Sequence, residues 1–282
     1  MTPADSSKVK LVQEEIKPLI GSRILNTKEE LLGGQLATEI RDLLEQRGVL
    51  VFPEIHFTDD EHIAFTKTLG KFQPERQSGD VFKVTLDTKE NPYSAEYLKG
   101  SLYWHVDGTM NETPILASLL ASKKLATWGG NTGFCSTYAA WEHLPEEQKQ
   151  ALDDKRVMHG AWASLMFYEP EPPLAKLKGM QSIGDRELPL VWKHRSGRKS
   201  LVIGCTAYKV LGVDDVKSAQ ILVGLREWAT SEQFSYSHEW KVGDLVMWDN
   251  TGALHRAEAY DLESGRMLHR TKLEGEEPWE AI

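Results

Sequence analysis

The sequence predicts a mainly β fold with flanking helices, of the sandwich or jelly-roll type rather than a doubly wound sheet. Short apolar segments bounded by turn residues dominate from Val81 onward, which is typical of strands. Helical periodicity is confined to the first part of the chain and to three later stretches. The sequence also lacks the G-x-G-x-x-G and P-loop patterns that mark nucleotide-binding α/β sheets.

The chain opens with a predicted α-β-α unit. Residues 28–46 carry leucine and isoleucine at intervals of three and four, so they predict an amphipathic helix that ends at a glycine. Residues 49–52 are apolar and predict a short buried strand. Asp59 and Asp60 then offer an N-cap for a second helix, which stops at Gly70.

Strand-like segments make up most of the remaining chain, and three helical segments interrupt them. The predicted strands are 81–86, 101–104, 115–122, 133–135, 199–203 and 244–248. The predicted helices are 139–152 with a turn at Pro145, 169–178, and 213–230, the last of which is amphipathic. Because no repeat, low-complexity tract or Pro/Ser-rich linker divides the sequence, we expect one domain over 1–282.

Charge and composition narrow the choice of partner. The 282 residues include 33 basic and 42 acidic side chains, which gives a net charge of −9. This chain lacks the basic excess expected for binding nucleic acid, and its apolar runs are far shorter than the ~20 residues that span a bilayer. We therefore expect a soluble, cytoplasmic protein with a small-molecule substrate, no nucleic acid and no membrane, and a homo-oligomer stays open. Cys135 and Cys205 are expected to be reduced core residues.

One short segment carries a candidate metal-ligand pair. His105 and Asp107 lie two residues apart, so at the end of a strand both side chains project from one face and can reach one ion. The His-x-Asp pattern is common by itself. The alternative interpretation is a surface loop in which Asp107 caps a helix.

A second histidine makes the metal interpretation more specific. His255 lies 150 residues after His105, in a segment that begins Trp248-Asp249-Asn250. Two histidines and one carboxylate form a facial triad, which favours Fe(II) and leaves three coordination positions for a chelating cosubstrate and dioxygen. Taken singly, His255 is better explained as a packed histidine at a strand end, satisfied by a backbone carbonyl.

Two arginines follow His255 on a predicted strand. Positions 266, 268 and 270 share one face of that strand and positions 267, 269 and 271 share the other, so Arg266 and Arg270 point together. A planar guanidinium matches a carboxylate through two charge-assisted hydrogen bonds, and the pair therefore predicts a carboxylate clamp. The alternative is a solvated outer face.

In this order and spacing, the motifs resemble those of the taurine and phenoxyacetate dioxygenase family of Fe(II)- and 2-oxoglutarate-dependent oxygenases. The resemblance runs from about residue 49 to residue 273 and depends on His105-x-Asp107, Gly129-Gly130-Asn131-Thr132, Trp248-Asp249-Asn250…His255 and Arg266…His269-Arg270. It implies a double-stranded β-helix, or jelly roll, in which His105, Asp107 and His255 hold Fe(II). It also implies that Thr132 and Arg266 bind the distal carboxylate of 2-oxoglutarate, and that Arg270 lies next to the cosubstrate or the substrate anion.

The implied activity is the oxidation of a substrate C–H bond by dioxygen. 2-Oxoglutarate is decarboxylated to succinate and carbon dioxide while the substrate is hydroxylated, and the metal and cosubstrate supply most of this chemistry. Three alternatives stay open: a jelly-roll binding or structural protein, a cupin isomerase with a different metal, and a degenerate oxygenase fold that acts as a sensor.

The resemblance also narrows the substrate. Sulfonate-cleaving members hold their substrate with a histidine near the segment that corresponds to 70–76, where this sequence has none. Segments 100–107 and 194–204 are more similar to the aryloxyalkanoate branch, in which hydroxylation beside an ether oxygen gives a hemiacetal that collapses to a phenol and an aldehyde or keto acid. The alternative is a hydroxylase or desaturase that acts on a lipophilic natural product, or a hydroxylase of an aromatic acid.

Two segments are predicted to form the pocket walls or a lid. They are 89–98, with Tyr93 and Tyr97, and 161–168, and their aromatic and methionine side chains suit a ring-bearing or lipophilic substrate. The alternative is hydrophobic packing or a subunit interface. With Arg270, they predict a substrate that carries an anionic or strongly polar group beside an aromatic or lipophilic body, and that is not taurine.

Overall fold

The described part of the chain forms fifteen strands and eight α-helices. The structure is a computed structural model and describes residues 9–75, 80–92 and 94–280. The strands are β1 (Gln13–Glu15), β2 (Ser22–Ile24), β3 (Val49–Phe52), β4 (Phe82–Val84), β5 (Ala117–Lys124), β6 (Thr132–Ser136), β7 (Arg156–Gly160), β8 (Asp185–Pro189), β9 (Val191–Lys193), β10 (Lys199–Leu201), β11 (Ala207–Val210), β12 (Ser235–His238), β13 (Leu245–Asp249), β14 (Ala253–Ala257) and β15 (Met267–Leu273). The helices are α1 (Lys28–Leu32), α2 (Ala37–Arg47), α3 (Asp59–Leu69), α4 (Thr137–Glu142), α5 (Glu146–Leu152), α6 (Ala161–Tyr168), α7 (Leu174–Gln181) and α8 (Asp215–Ala229). A 3₁₀ helix covers Tyr97–Leu102.

A seven-stranded sheet forms the larger layer, in the order β1-β2-β3-β13-β5-β15-β4. Its neighbouring strands are antiparallel except for β2 and β3, which run parallel. Strands distant in sequence are neighbours here, because β13 lies between β3 and β5 and β15 pairs with the other edge of β5. The end of the chain is therefore built into the middle of the sheet.

A three-stranded sheet, β12-β6-β14, packs on the inner face of the larger sheet. Phe134 of β6 contacts Trp248 of β13, with ring centroids 5.6 Å apart, in a core that also holds Val51 and Leu268. Two smaller sheets, β11-β7-β8 and β10-β9, extend the structure. The predicted mainly β fold with flanking helices is confirmed, and the two facing sheets make it a double-stranded β-helix.

Helices α1, α2 and α3 cover the outer face of the larger sheet. Strand side chains alternate between faces, so Leu50 and Phe52 of β3 pack under these helices, whereas Val49 and Val51 enter the core between the sheets. A strand covered on both faces reads as a continuous apolar run, which explains why residues 49–52 were predicted as a buried strand.

The helices differ from prediction mainly at their ends. The helix predicted over 28–46 is divided into α1 and α2, because Gly33-Gly34 interrupts it. Thr58, rather than the predicted Asp59, caps α3, since its side chain accepts from the backbone N–H of Glu61. The predicted turn at Pro145 is confirmed, since it separates α4 from α5 within 139–152. The helix predicted over 169–178 is displaced to α7.

One predicted strand is wrong. The first two of residues 101–104 end the 3₁₀ helix and the other two form no strand, and β pairing begins at His105, which makes an isolated bridge with His255. The predictions also did not include seven short strands, whose partly polar sequences give weak alternation: β1, β2, β7, β8, β9, β11 and β12.

The longest helix of the described residues, α8, has 15 residues, and none of these helices combines the length and apolar character required to cross a bilayer. Cys135 and Cys205 are buried free thiols, as predicted.

Candidate functional site

The three predicted metal ligands converge at one end of the β-helix. Reciprocal backbone hydrogen bonds of 3.0 Å join His105 and His255, which brings together two residues that are 150 positions apart. Asp107 Oδ1 lies 3.8 Å from His105 Nε2, and Asp107 Oδ2 lies 3.8 Å from His255 Nε2. One ligand atom from each residue lies within 4.8 Å of the others. Two imidazoles and a carboxylate in this arrangement fit a divalent transition-metal ion.

Local contacts orient the two imidazole rings. The Nδ1 atom of His105 is 2.8 Å from the carbonyl oxygen of Tyr103, so it carries the proton and leaves the Nε2 lone pair facing Asp107. The His255 ring packs against Trp248 with centroids 4.6 Å apart. Burial, with His105 close by, holds the pKa of His255 well below its usual value. A neutral imidazole is the form that binds a metal.

Asp107 is fixed by a chain of hydrogen bonds that begins deep in the core. The indole N–H of Trp248 donates to Asn250 Oδ1 over 2.9 Å, and Asn250 Nδ2 donates to Ser118 Oγ over 3.1 Å. Ser118 in turn donates to Asp107 Oδ2 over 3.1 Å. Sequence reasoning missed the roles of Ser118 and Asn250. The Trp248-Asp249-Asn250 motif was the available signal, but it did not show which side chain reaches Asp107.

Nearby positive charges together affect the pKa of the Asp107 carboxyl group more than its burial does. Burial alone raises the pKa of its carboxyl group, but His255, Arg270, His105 and the Ser118 hydrogen bond together hold that pKa well below its usual range. The carboxylate is therefore ionised, as a metal ligand requires.

Arg266 supplies a buried positive charge in the same cavity. The side chain is 4% exposed, its Nη2 donates to the carbonyl oxygen of Gly130 over 2.9 Å, and its guanidinium lies 4.9 Å from the ring centroid of Tyr260. Among the described residues, no carboxylate forms an ion pair with Arg266. Burial lowers its pKa from the ordinary arginine value. Because a buried guanidinium without an acidic partner is costly, this position suits a bound anion such as the distal carboxylate of 2-oxoglutarate.

Thr132 and Gly130 complete this end of the cavity. Thr132 is 3% exposed and accepts a hydrogen bond of 2.9 Å from the indole N–H of Trp240. Gly130 has φ +86°, and a Cβ added there would lie 3.0 Å from Arg266 Nε. The glycine therefore leaves the space that Arg266 occupies.

Arg270 is already paired within the protein. Its Nη2 donates to Glu75 Oε1 over 2.9 Å, and its Nη1 lies 3.6 Å from Asp107 Oδ2. Lys272 Nζ contacts the same Glu75 oxygen at 3.0 Å. Sequence reasoning missed Glu75, although it lies in the segment that was searched for a histidine. Arg76, also in that segment, lies outside the described residues.

The cavity that holds these groups has a volume of about 400 Å³ and is lined by both polar and apolar side chains. The triad, Thr132, Arg266 and Arg270 all line it. Its apolar wall includes Phe82, Val84, Leu98, Val106, Met110, Ile115, Leu120, Trp248, Ala257 and Leu268. Arg266, Leu268 and Arg270 all face the cavity, whereas Met267 and His269 line a separate surface pocket, so the predicted alternation of this strand is confirmed.

Of the two segments predicted to form the pocket walls, one lines the cavity as expected and the other contributes little to it. Within 89–98, Tyr97, Leu98 and Ser94 line the cavity, and Tyr93 lies outside the described residues. Within 161–168, which forms α6, Ser164 is the one described residue that lines the cavity. The aromatic wall expected there is wrong, because Trp162 turns away to donate to Asp185 Oδ1 over 2.9 Å. This part of α6 follows the alternative of hydrophobic packing.

The chain is similar to known dioxygenases over most of its length. The family model described as "Taurine catabolism dioxygenase TauD, TfdA family" matches residues 13–272. The alpha-ketoglutarate-dependent 2,4-dichlorophenoxyacetate dioxygenase of Cupriavidus pinatubonensis (strain JMP 134 / LMG 1197) is 32% identical, over 92% of this chain and 96% of its own. The (S)-phenoxypropionate/alpha-ketoglutarate-dioxygenase of Delftia acidovorans is 28% identical, over 82% and 83%. The crystal structure of AAD-2 in complex with Mn(II) and N-oxalylglycine superposes with a TM-score of 0.82 and 26% identity, over 96% of this chain and 100% of that one.

Proposed function

The chain belongs to the TauD, TfdA family of dioxygenases, and from this premise we propose that His105, Asp107 and His255 hold the Fe(II) of a 2-oxoglutarate-dependent dioxygenase. We assign the distal carboxylate of 2-oxoglutarate to Arg266 and Thr132. The reaction is the hydroxylation of a C–H bond in a small organic substrate.

One observation carries this proposal: the triad faces the same cavity as Arg266, a buried arginine that has no carboxylate partner within the described part of the chain. A metal-binding protein without a cosubstrate would gain nothing from Arg266, whose burial is costly in the absence of an anion. A dicarboxylate that chelates a metal through one end requires a cation at its other end. The site provides both.

When bound, Fe(II) and 2-oxoglutarate supply the activation of dioxygen and the oxidation of the substrate, with release of succinate and carbon dioxide. The protein supplies position and environment. Asp107 contributes a fixed negative charge, held by Ser118, and His105 is held in one tautomer by the Tyr103 carbonyl. Arg266 orients the cosubstrate, and the apolar wall excludes water. No general acid or base is required.

The proposed substrate is a small molecule with a ring or another lipophilic body. The mainly apolar wall of the cavity supports this class. The names of the relatives support ether cleavage of an aryloxyalkanoate as the specific form of the reaction. Hydroxylation or desaturation of a lipophilic natural product is the alternative.

Oxygen consumption and succinate formation test the proposal. Purified protein with Fe(II) and 2-oxoglutarate is expected to form succinate at a slow uncoupled rate, and faster with a productive member of a panel of aryloxy acids, sulfonates, alkyl sulfates and lipophilic natural products. Omission of Fe(II) or of 2-oxoglutarate is the control. If neither succinate formation nor 2-oxoglutarate binding is detected, the binding-protein, isomerase and sensor alternatives gain support.

We further propose that residues 1–282 form one catalytic domain, which the family match over 13–272 supports. The cytoplasmic location, the lack of nucleic-acid and membrane partners and the possible homo-oligomer stay predictions from the sequence.

A further inference from the structure

The substrate side of the cavity contains a carboxylate, Glu75, that holds two cations. Glu75 Oε1 accepts from Arg270 Nη2 over 2.9 Å and from Lys272 Nζ over 3.0 Å. The three side chains are between 12% and 18% exposed, so water screens these contacts only partly. Arg270 and Lys272 lie two residues apart on β15 and therefore approach Glu75 from the same face of that strand.

The guanidinium of Arg270 already has carboxylate partners within the protein. Arg270 contacts Asp107 through Nη1 as well as Glu75 through Nη2. Because the proposed function commits Asp107 to the iron, Glu75 is the carboxylate left to pair with Arg270 and Lys272. A substrate carboxylate that approached Arg270 would have to displace Glu75 or lie beside it, and like charges in a partly buried site repel strongly.

Glu75 also occupies a position that a substrate meets. Together with Phe82, Ser94 and Asn111 it lines both the cavity of the metal site and an adjoining groove of about 1030 Å³. The Arg270 guanidinium lies 4.9 Å from the ring centroid of Phe82, which holds the arginine at the junction of the two spaces. A group bound at this junction therefore contacts the Glu75–Arg270 pair.

We propose that Glu75 determines specificity by excluding a carboxylate from Arg270, so that the substrate presents an uncharged polar group to this end of the cavity. A hydroxyl or amide that donates to Glu75 is the complementary chemistry, with the lipophilic body along the apolar wall. Of the anionic and strongly polar groups predicted from the sequence, the contacts of Arg270 favour the polar, uncharged one. The inference rests on the proposed dioxygenase activity, and of the two reactions named there it favours oxidation of an uncharged lipophilic compound over cleavage of a free aryloxyalkanoate acid.

Paired probes test the role of Glu75 directly. Phenoxyacetic acid, its methyl ester and its primary amide share one ring and differ in charge. Their binding is measured by isothermal titration calorimetry, without oxygen, on protein that holds Fe(II) and 2-oxoglutarate. The wild-type protein is expected to bind the amide at least about tenfold more tightly than the acid. The Glu75→Gln variant is expected to bind the acid about tenfold more tightly than the wild type does, because Arg270 then lacks its Glu75 partner and a bound carboxylate can replace it.

Two further variants bracket this result. Glu90→Gln removes a carboxylate that pairs with Lys83 in the adjoining groove, and it is expected to leave the ratio of acid to amide unchanged. Lys272→Met removes one cation from Glu75 and is expected to weaken binding of the acid further. Circular dichroism and thermal melting check that each variant is folded.

The proposal would be overturned if the wild-type protein bound the acid more tightly than the amide. It would also be overturned if Glu75→Gln bound the acid no more tightly than the wild type does, or if no probe bound at all. Uncoupled succinate formation, measured without any probe, tests the proposed function separately. If the probes bind in the expected ratios but the wild-type protein forms no succinate, the dioxygenase assignment is contradicted. If succinate forms but Glu75→Gln binds the acid and the amide in the same ratio as the wild type, the role of Glu75 is contradicted.

Discussion

His255 joins the metal site to the core, since it lies opposite His105 and packs on Trp248. His255→Ala removes one of the three ligands, so we expect loss of turnover and of most iron binding, because the remaining pair cannot hold a labile ion well. Metal content after anaerobic reconstitution is the measurement. His143→Ala, at the end of α4, is the control, and near wild-type iron content and activity in His255→Ala would refute the triad.

Arg266 is expected to set the affinity for 2-oxoglutarate. Arg266→Ala leaves the distal carboxylate without its charge-assisted partner, which costs on the order of 2–5 kcal/mol. The 2-oxoglutarate requirement should rise well over tenfold while iron binding is nearly intact. A 2-oxoglutarate titration of succinate formation measures this, with the exposed Arg23→Ala as the control. An unchanged titration would move the clamp elsewhere, with Arg270 the first candidate.

Ser118 is expected to act as a positioning residue for Asp107. Ser118→Ala removes the hydrogen bond to Asp107 Oδ2 and leaves Asn250 without its acceptor. Iron affinity should fall by about 10–100-fold, as when other groups that orient a metal ligand are lost. Competition with a chelator measures this affinity. Ser122→Ala on the same strand is the matched control, and equal chelator sensitivity of the two variants would count against this role.

At the residue scale, sequence reasoning could identify groups whose type and spacing define their chemistry. His105, Asp107, His255 and Arg266 belong to that class. Ser118 and Glu75 do not, because a serine and a glutamate are common residues whose meaning depends on what the fold places beside them. Their partners lie 11 residues away for Ser118 and 195 residues away for Glu75.

At the scale of elements, the loop at Gly129-Gly130 fixes the space for Arg266. Both glycines have positive φ, +65° and +86°, which costs a non-glycine residue about 1–2 kcal/mol. Gly130→Ala also places a methyl group 3.0 Å from Arg266 Nε, so we expect a several-fold higher 2-oxoglutarate requirement with iron binding retained. The same titration measures it. Gly179→Ala, where a Cβ meets nothing within 4 Å, should behave as wild type, and identical titrations of the two variants would contradict this role.

Elements with strong periodicity were predicted well, and those defined by tertiary contacts were not. Residues 49–52 form β3 as predicted because a strand covered on both faces is apolar throughout. Residues 101–104 look like a strand, but residues 101–102 end a 3₁₀ helix, and the Trp104 carbonyl accepts from the backbone N–H of Cys205 outside any strand. The aromatic residues of α6 could not be placed from sequence, because a helix exposes one face to the cavity and packs the others elsewhere.

For the whole molecule, three buried histidines predict acid sensitivity. Burial lowers the pKa of His62 to about 3 and those of His159 and His194 to about 4, from an ordinary value of 6.5. Below pH 6.5 the unfolded chain therefore binds protons that the folded protein excludes. Their contribution to stability is complete above pH 6.5 and is lost as the pH falls toward 4.

The carboxyl group of Asp249 has the opposite effect on stability when the pH falls. Burial raises the pKa of its carboxyl group to about 6, from 3.8, so its contribution is complete below pH 3.8 and is lost as the pH rises through 6. Because three histidines lose stability on acidification and one carboxylate gains it, the folded protein is expected to become less stable as the pH falls. The loss is about 1.4 kcal/mol per pH unit for each proton that the unfolded chain binds in excess of the folded protein. Urea unfolding between pH 7.5 and 4.5 with a chelator present measures the slope. His62→Gln should flatten it, and stability independent of pH would contradict the prediction.

The overall architecture could be predicted from many short strands, a few helices and the motif order. The sheet order could not, because β13 pairs with β3, almost 200 residues earlier, and with β5, more than 120 residues earlier, and the apolar sequences of these strands do not encode a partner.

The central place of β13 has a consequence for synthesis of the chain. Until residues 245–249 have left the ribosome, β3 lacks a partner on one edge, and β5 lacks partners on both edges because β15 emerges even later. A nascent chain in that state resembles an open sheet edge, which other chains can join. His255 emerges later still, so the iron site cannot be completed before most of the protein has been made. A chain that stops short of β13 should therefore aggregate or depend on chaperones.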